Sequence, residues 1–164
     1  MTTRSDTDDV VAIWRLQSAY ADIVNRRAWP ELQGIFLPDA SVYLDTVTAD
    51  PFTLVGPEAV GGFIGPSIEK FDHFSFVILN TVVDIEGDAS AKGRIFMMEV
   101  RHETSTNTWP NALGVYEDRY AKHDGRWWIA SRRYRSLARQ GPDGVVLGPA
   151  PFPLAGGAGD TRPS

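Results

Sequence analysis

The sequence contains no cysteine and only three histidines among its 164 residues. The absence of cysteine excludes disulfides, thiolate catalysis and thiolate metal sites. The histidines, His73, His102 and His123, do not have the spacing of metal ligands. Glycine-rich phosphate loops, nucleophile elbows and dinucleotide fingerprints are also missing. The sequence therefore predicts a protein with no metal ion and no other cofactor.

Positive charge and long apolar runs are scarce as well. Lys and Arg together number 16 against 21 Asp and Glu, which gives a net charge of −5. Nucleic acids and anionic membranes bind basic surfaces, so neither is expected as a partner. No apolar run reaches membrane-spanning length, and the N-terminus lacks the apolar core of a signal peptide. We expect a cytoplasmic protein.

The first part of the chain has the pattern of helices. Apolar residues recur at helical spacing from Ile13 to Val24, which predicts one amphipathic helix. A second helix is predicted to begin near Pro30 and to run through Ile35 and Phe36 until Pro38 stops it. A short strand follows at residues 41–45. A third helix is predicted to begin at Pro57 and to break at Gly61-Gly62.

The second part has the pattern of strands. Residues 71–85 and 89–103 are rich in β-forming residues and are separated by a turn at Gly87-Asp88. Residues 114–134 read as two further strands joined at Asp124-Gly125, a dipeptide suited to tight hairpin turns. Helices followed by an antiparallel meander of four long strands indicate the α+β class. Bulky side chains on both faces of the hairpin predict a sheet that is covered on both sides or one that curls around a space.

The chain is predicted to form one domain. Residues 1–7 are expected to be a flexible N-terminus, and residues 8–139 the folded domain. Residues 140–164 are rich in glycine and proline, so no regular element is predicted there and the tail is expected to be extended or disordered. Two apolar segments of the tail, 145–147 and 152–154, are candidates to lie across a partner subunit.

Four segments of the sequence, in this order and spacing, resemble the NTF2-like superfamily and its SnoaL-like branch, which lies near scytalone dehydratase and ketosteroid isomerase. They are YADIVNRRAWPEL (20–32), FLPDASV (36–42), EGDA (86–89), and the hairpin pattern G-x-Y-x-D-x-Y…DGRWW. The resemblance covers roughly residues 8–139. It implies an NTF2-like cone, in which N-terminal helices pack on a strongly curved, mostly antiparallel sheet that encloses an apolar pocket. The family also leads us to expect a homodimer or homotrimer.

Three residues are candidates for catalysis: His73, Glu99 and Tyr20. Tyr20 stands where the resemblance to ketosteroid isomerase places the oxyanion-binding tyrosine; the alternative is a core tyrosine bonded to the backbone. His73 stands near the position of the catalytic histidine of scytalone-dehydratase relatives, although counting back from the EGD turn places that histidine nearer Ser75 or Phe76. The alternative is a structural or exposed histidine.

Glu99 interrupts the apolar strand IFMMEV. A carboxylate in apolar surroundings can act as a general acid or base when burial raises its pKa. The alternative is a salt bridge to an arginine of a neighbouring strand, namely Arg119, Arg133 or Arg135.

Five further residues are candidates for substrate binding: Asn25, Tyr43, Asp45, Tyr116 and Asp118. Asn25 replaces an aspartate of related dehydratases, and an amide cannot take up a proton; it could bind a ligand or cap the end of the first helix. Tyr43 and Asp45 lie on the strand where ketosteroid isomerase keeps its catalytic base, with Asp45 matching only after a one-residue insertion. Tyr116 matches a substrate-binding asparagine of scytalone dehydratase, and Asp118 shares its strand face.

Three functions are compatible with this sequence. The first is a cofactor-independent dehydratase, isomerase or hydrolase that moves a proton on a small ring or polyketide-like compound. The second is a non-catalytic protein that binds a small apolar molecule. The third is a small structural subunit of a ring-hydroxylating dioxygenase. The fold itself hosts many activities and does not choose among them.

Overall fold

A computed structural model describes residues 4–141 and 143–148 of the chain. Two α-helices, one 3-10 helix and seven strands follow one another along these residues. They are α1 (Arg4–Arg26), the 3-10 helix (Trp29–Gly34), β1 (Phe36–Asp45), β2 (Phe52–Val55), α2 (Pro57–Ile68), β3 (His73–Gly87), β4 (Ser90–His102), β5 (Ala112–His123), β6 (Arg126–Gly141) and β7 (Gly144–Leu147).

The seven strands form one curled, unclosed sheet on which the N-terminal helices pack. The strand order is β2-β1-β6-β5-β4-β3, and β7 also pairs with β6. All neighbours are antiparallel except β1 and β6, which run parallel. The predicted α+β class and the predicted meander of four long strands are confirmed.

The predicted hairpin turn is present between β5 and β6. Asp124 and Gly125 have φ angles of 51° and 76°, the positive values that a two-residue hairpin turn requires. Aspartate tolerates this conformation and glycine adopts it freely, so the dipeptide fixes the register of the two strands.

The second helix differs from the sequence prediction. A 3-10 helix ends at Gly34, and Phe36 already begins β1, which then passes through Pro38. Phe36 is buried and pairs with Ile129 of β6, so tertiary pairing outweighs the local helical pattern.

Three more segments differ from the prediction. Helix α2 continues through Gly61 and Gly62 to Ile68, although a break was expected at these glycines. Residues 52–55, for which no element was predicted, form β2 on the edge of the sheet. Residues 144–147, in the tail for which no regular element was predicted, form β7, while residues 152–154 lie outside the described residues.

The core lies between α1 and the inner face of the sheet. Ile13, Tyr20 and Val24 of α1 are buried there. On the outer face, one apolar residue from each of five strands lies in register in a single row: Val77, Met98, Leu113, Ala138 and Leu147. The expected homodimer or homotrimer stays a prediction. No helix among the described residues is long and apolar enough to cross a membrane.

Candidate functional site

A cavity of about 240 Å³ lies between the inner face of the sheet and the helices α1 and α2. Most of its wall is apolar and much of it is aromatic, with Phe36, Phe71, Phe74 and Phe76 among the lining residues. The polar and charged residues that also line it are Tyr20, Thr46, Ser67, Lys70, Glu99, Arg101, Tyr116, Arg132, Tyr134 and Arg139.

Arg132 and Asp118 form a buried ion pair beside the cavity. The Nε and Nη2 atoms of Arg132 donate hydrogen bonds to the two carboxylate oxygens of Asp118 at 2.9 and 2.6 Å. Both side chains are almost completely buried, at 1% and 0% exposure. Burial alone would lower the pKa of Arg132, but the charge and hydrogen bonds of Asp118 outweigh it and raise that pKa above its usual range. Arg132 is therefore a permanent buried cation.

Gln17 and Tyr120 complete the hydrogen bonding of this pair. The side-chain oxygen of Gln17 accepts a hydrogen bond from Nη2 of Arg132 at 2.8 Å, and its nitrogen donates to Asp118 at 2.8 Å and to Tyr120 at 2.6 Å. The Tyr120 hydroxyl donates to Asp118 at 3.1 Å. These bonds fix the orientation of Arg132 from the side away from the cavity.

Tyr20 and Tyr116 flank the guanidinium group of Arg132. Its central carbon lies 4.3 Å from the ring centroid of Tyr20 and 4.0 Å from that of Tyr116, distances typical of cation–π contacts. We call Tyr20, Tyr116 and Arg132 the tyrosine–arginine cluster. Burial raises the pKa of Tyr20, and it raises the pKa of Tyr116 by a larger amount. The charge of Arg132 partly opposes both shifts. Both hydroxyls therefore remain protonated donors at neutral pH.

The Nη1 atom of Arg132 is buried and makes no hydrogen bond of normal geometry to any described residue. The other two nitrogens of the same group are fully engaged by Asp118 and Gln17. An unpaired buried donor costs about 1–3 kcal/mol, and more when it is charged.

A second charged group, Glu99, Arg101 and Arg139, lies in the cavity wall and is called the arginine wall below. Nη1 of Arg101 lies 3.3 Å from a carboxylate oxygen of Glu99, two residues before it on β4. Nη2 of Arg139 on β6 donates a long hydrogen bond of 3.4 Å to the hydroxyl of Tyr134. Burial lowers the pKa of Arg101, Glu99 opposes this shift, and the like charge of Arg139 adds to it.

The structure brings three of the predicted site residues to the cavity: Tyr20, Glu99 and Tyr116. Asp118 lies directly behind Arg132. The ion-pair partner of Glu99 is Arg101 on its own strand, not one of the arginines of neighbouring strands that the sequence suggested.

Asn25 joins helix α1 to strand β3. Its side-chain oxygen accepts a hydrogen bond from the backbone N–H of Phe76 at 2.7 Å, and its nitrogen donates to the carbonyl of Phe76 at 3.0 Å. Asn25 lies within α1, and the left-handed residue at the helix end is Arg27 instead, with φ of 57°. Asn25 is therefore hydrogen-bonded to the backbone of a phenylalanine. This phenylalanine stands at one of the two positions where the resemblance placed the family histidine.

His73 lies on the outer face of the sheet, away from the cavity. It is exposed, its ring lies 5.7 Å from that of Trp109, and its Nε2 is 3.2 Å from the hydroxyl of Ser75. Its cross-strand partner is His102, whose Nδ1 lies 2.6 Å from a carboxylate oxygen of Asp72.

Tyr43 and Asp45 are also outside the cavity lining. The guanidinium group of Arg133 lies over the ring of Tyr43, with its central carbon 4.6 Å from the centroid. Asp45 accepts a hydrogen bond from the backbone of Val47 at 3.0 Å and so shapes the turn after β1. Their neighbours Val42 and Leu44, on the opposite strand face, line the cavity.

Sequence reasoning missed Arg132 and Gln17. Between Ile129 and Ser131 the pairing of β6 with β5 shifts by one residue, because Ala130 is an extra residue opposite the step from Arg119 to Tyr120. This bulge changes which face the following residues occupy, so Arg132 points inward. The bulge could have been inferred from the inward residues Trp127, Ile129 and Tyr134. Their alternation continues along β6 only if one residue between Ile129 and Tyr134 is left out of the count.

No group of three or more histidine, aspartate and glutamate side chains within the described part of the chain is placed to hold a metal ion.

Solved structures with the same fold are numerous. A candidate scytalone dehydratase from Novosphingobium aromaticivorans superposes with a TM-score of 0.70 at 21% identity, covering 80% of this chain and 86% of that protein. LinA superposes with a TM-score of 0.73 at 19% identity, covering 92% and 100% of the two chains. The LinA-type3 hexachlorocyclohexane dehydrochlorinase from Novosphingobium barchaimii gives 0.72 at 18% identity, covering 89% and 98%. At these identities the likeness shows the fold alone.

A search among curated proteins finds no match. The sequence profile of the SnoaL-like domain matches residues 5–133, which is most of the chain. Together with the curled sheet and the structural neighbours, this match confirms the resemblance drawn from the sequence: the chain belongs to the SnoaL-like domain family of the NTF2-like superfamily.

Proposed function

We propose that this protein binds a small, mostly apolar molecule in the cavity and holds an oxygen atom of that molecule at the tyrosine–arginine cluster. The observation that carries the proposal is the unpaired Nη1 of Arg132, a buried and permanently charged donor on a residue that lines the cavity. The rings of Tyr20 and Tyr116 stack against the same guanidinium group, and the hydroxyls of both are protonated at neutral pH.

Physical chemistry supports an oxygen-bearing ligand over a pure hydrocarbon. A hydrogen bond to a charged group contributes about 1.5–3 kcal/mol, and here it would satisfy a donor that is otherwise buried without a partner. The aromatic wall stabilises the apolar remainder of the ligand by removing it from water, at roughly 25 cal/mol per Å². A carbonyl-bearing ring compound meets both demands.

The binding test compares 2-tetralone with tetralin, the same skeleton without its oxygen, by ligand-observed NMR titration. We expect the ketone to bind at least about tenfold more tightly, the effect of one charge-assisted hydrogen bond. Tyr20→Phe and Tyr116→Phe should each weaken ketone binding and leave tetralin unchanged. Tyr43→Phe, outside the cavity, is the control. Equal affinity for both compounds, or no binding of either, would refute the proposal.

A second candidate function is proton transfer by Glu99. Glu99 is the one carboxylate that lines the cavity within the described residues, and its charge raises the pKa of Tyr116 in addition to burial and Tyr20. A carboxylate can remove a proton from the carbon beside a carbonyl while the two tyrosine hydroxyls and Arg132 stabilise the enolate. Two of the structural neighbours are named as a dehydratase and a dehydrochlorinase. Both dehydration and dehydrochlorination include loss of a proton from carbon.

The test of this second function is exchange of the α-protons of 2-tetralone for deuterium in D₂O, followed by NMR. We expect the protein to accelerate exchange and Glu99→Gln to abolish the acceleration while binding of the ketone persists. His73→Gln, on the outer face, should have no effect. Unchanged exchange in Glu99→Gln would leave the protein as a binder of small molecules.

A further inference from the structure

We infer that the ligand of this cavity is an anion, and that Arg101 and Arg139 of the arginine wall form the subsite for its carboxylate. The inference rests on the proposed function, because it uses the same cavity. It adds the chemical class of the ligand: a small apolar ring compound with one carboxylate.

The first step is the balance of charge around the cavity. Four cations line it, Lys70, Arg101, Arg132 and Arg139, together with one carboxylate, Glu99. Asp118 neutralises Arg132 from behind. Glu99 neutralises Arg101, which leaves Lys70 and Arg139 without a carboxylate partner among the described residues. The cavity wall therefore carries an excess of positive charge, although the protein has a net charge of −5.

The second step is the unfilled hydrogen bonding of the two arginines. The Nε atoms of Arg101 and Arg139 are both buried and have no partner among the described residues. The side chain of Arg101 is only 7% exposed, and within the described residues the Arg139 side chain makes only the long hydrogen bond to Tyr134. Two neighbouring guanidinium groups with free buried donors present more donors than Glu99 alone can satisfy.

The third step is the repulsion between the two cations. The charge of Arg139 destabilises the protonated form of Arg101, which burial already disfavours. A second anion beside Glu99 would offset this repulsion and accept hydrogen bonds from the terminal nitrogens of the two arginines. A charged arrangement of this kind is costly to maintain unless a ligand completes it.

The choice of a carboxylate follows from the surroundings. The planar fork of an arginine matches a carboxylate bidentately, and the ring-lined remainder of the cavity suits an apolar skeleton. A phosphate would bring up to two negative charges next to Glu99, which already occupies part of the arginine wall.

The experiment compares tetralin-2-carboxylate with tetralin-2-carboxamide, which share one skeleton and differ in charge, by isothermal titration calorimetry at neutral pH. We expect the carboxylate to bind at least about tenfold more tightly, as one charge-assisted pair predicts. Arg139→Met should remove this preference and change the carboxamide affinity less than about twofold. Glu99→Gln should tighten carboxylate binding, because it removes the competing negative charge.

The matched control is Arg133→Met. Arg133 lies on the same strand and carries the same charge, but it is exposed and stacks on Tyr43. It should leave both affinities unchanged, and Arg139→Lys should keep part of the preference if Arg139→Met fails to fold. Equal binding of carboxylate and carboxamide to the unmodified protein, or an equal loss in both methionine variants, would overturn the inference. If 2-tetralone binds but the carboxylate does not, only this inference fails; if neither binds, the proposed function fails with it.

Discussion

At the scale of single residues, the decisive feature is a buried cation that the protein itself neutralises. Arg132 is held by Asp118 and Gln17 on one side and by two tyrosine rings, and one of its nitrogens has no hydrogen-bond partner among the described residues. A buried ion pair contributes little net stability compared with an apolar pair of the same volume, but removing one partner is costly. The Arg132–Asp118 pair is therefore better explained by the charged donor group that it holds at the cavity than by a contribution to folding stability.

The first prediction concerns Asp118→Asn. The variant keeps the shape of the side chain but leaves Arg132 as an uncompensated buried charge, so the free energy of unfolding should fall by about 3–5 kcal/mol. Urea denaturation followed by circular dichroism measures the change.

The control for this variant is Glu117→Gln, one residue earlier on the same strand. Glu117 lies on the other face, is 43% exposed and is 3.6 Å from Arg135, so its loss should cost under about 1 kcal/mol. A change in Asp118→Asn as small as that of the control would show that the pair is not charged as described.

The limits of sequence reasoning are visible at this scale. Tyr20, Tyr116 and Asp118 could be assigned to an inward face because helical and strand periodicity continue unbroken through them. Arg132 could not, because a one-residue bulge at Ala130 reverses the alternation of β6, and a bulge leaves no clear mark in a single sequence. His73 was a candidate by its residue type and by its position near the family histidine, but its strand face decides its surroundings.

At the scale of elements, one close contact packs α2 against the 3-10 helix. Trp29 of the 3-10 helix packs against two glycines of α2, Gly61 and Gly65, where an added Cβ atom would lie 3.0 Å from the tryptophan. The sequence predicted a helix break at Gly61-Gly62, since glycine disfavours helices. The structure shows a different reason for Gly61, which is the close approach of Trp29, and this approach depends on residues about thirty positions apart.

The second prediction compares the adjacent glycines Gly61 and Gly62 as a matched pair. A Cβ atom at Gly62 meets nothing within 4 Å, so Gly62→Ala should stabilise the protein by about 0.5–1 kcal/mol through helix propensity. Gly61→Ala gains the same propensity but crowds the Cβ atom of Trp29, so it should be at least about 1 kcal/mol less stable than Gly62→Ala. Thermal unfolding of the two variants provides the comparison, and equal melting temperatures would contradict the packing described for Trp29.

At the scale of the whole molecule, the ion pairs make the free energy of unfolding decrease in both acidic and alkaline solution. Four carboxylates have pKa values held below their usual range: Asp9, Glu31, Asp72 and Glu86. Burial opposes this shift at Asp9, where hydrogen bonds from Lys122 and Trp127 outweigh it. A lowered carboxylate pKa contributes stability that is present above the unfolded pKa and is lost as the pH falls through the folded one. Stability should therefore decline in acid.

The third prediction concerns alkaline pH, where the pKa shift of His102 has the opposite direction from those of the carboxylates. A hydrogen bond with Asp72 raises the pKa of His102 above its ordinary value of 6.5. A raised histidine pKa contributes stability that is complete below the unfolded pKa and is lost as the pH rises through the folded one. Urea midpoints of the unmodified protein should thus decrease above about pH 6.5, where an unperturbed histidine titrates. His102→Gln should remove that decrease because glutamine does not titrate.

His123→Gln is the matched control for this profile, since His123 is exposed at the end of β5, next to the Asp124-Gly125 turn. The control should retain the alkaline decrease in full. Because Asp72 and His102 join the start of β3 to the end of β4, the effect should also shrink at high salt, which screens exposed charges. An unchanged profile in His102→Gln would mean that the pair does not form in solution, and the alkaline decrease would then have to arise from another group.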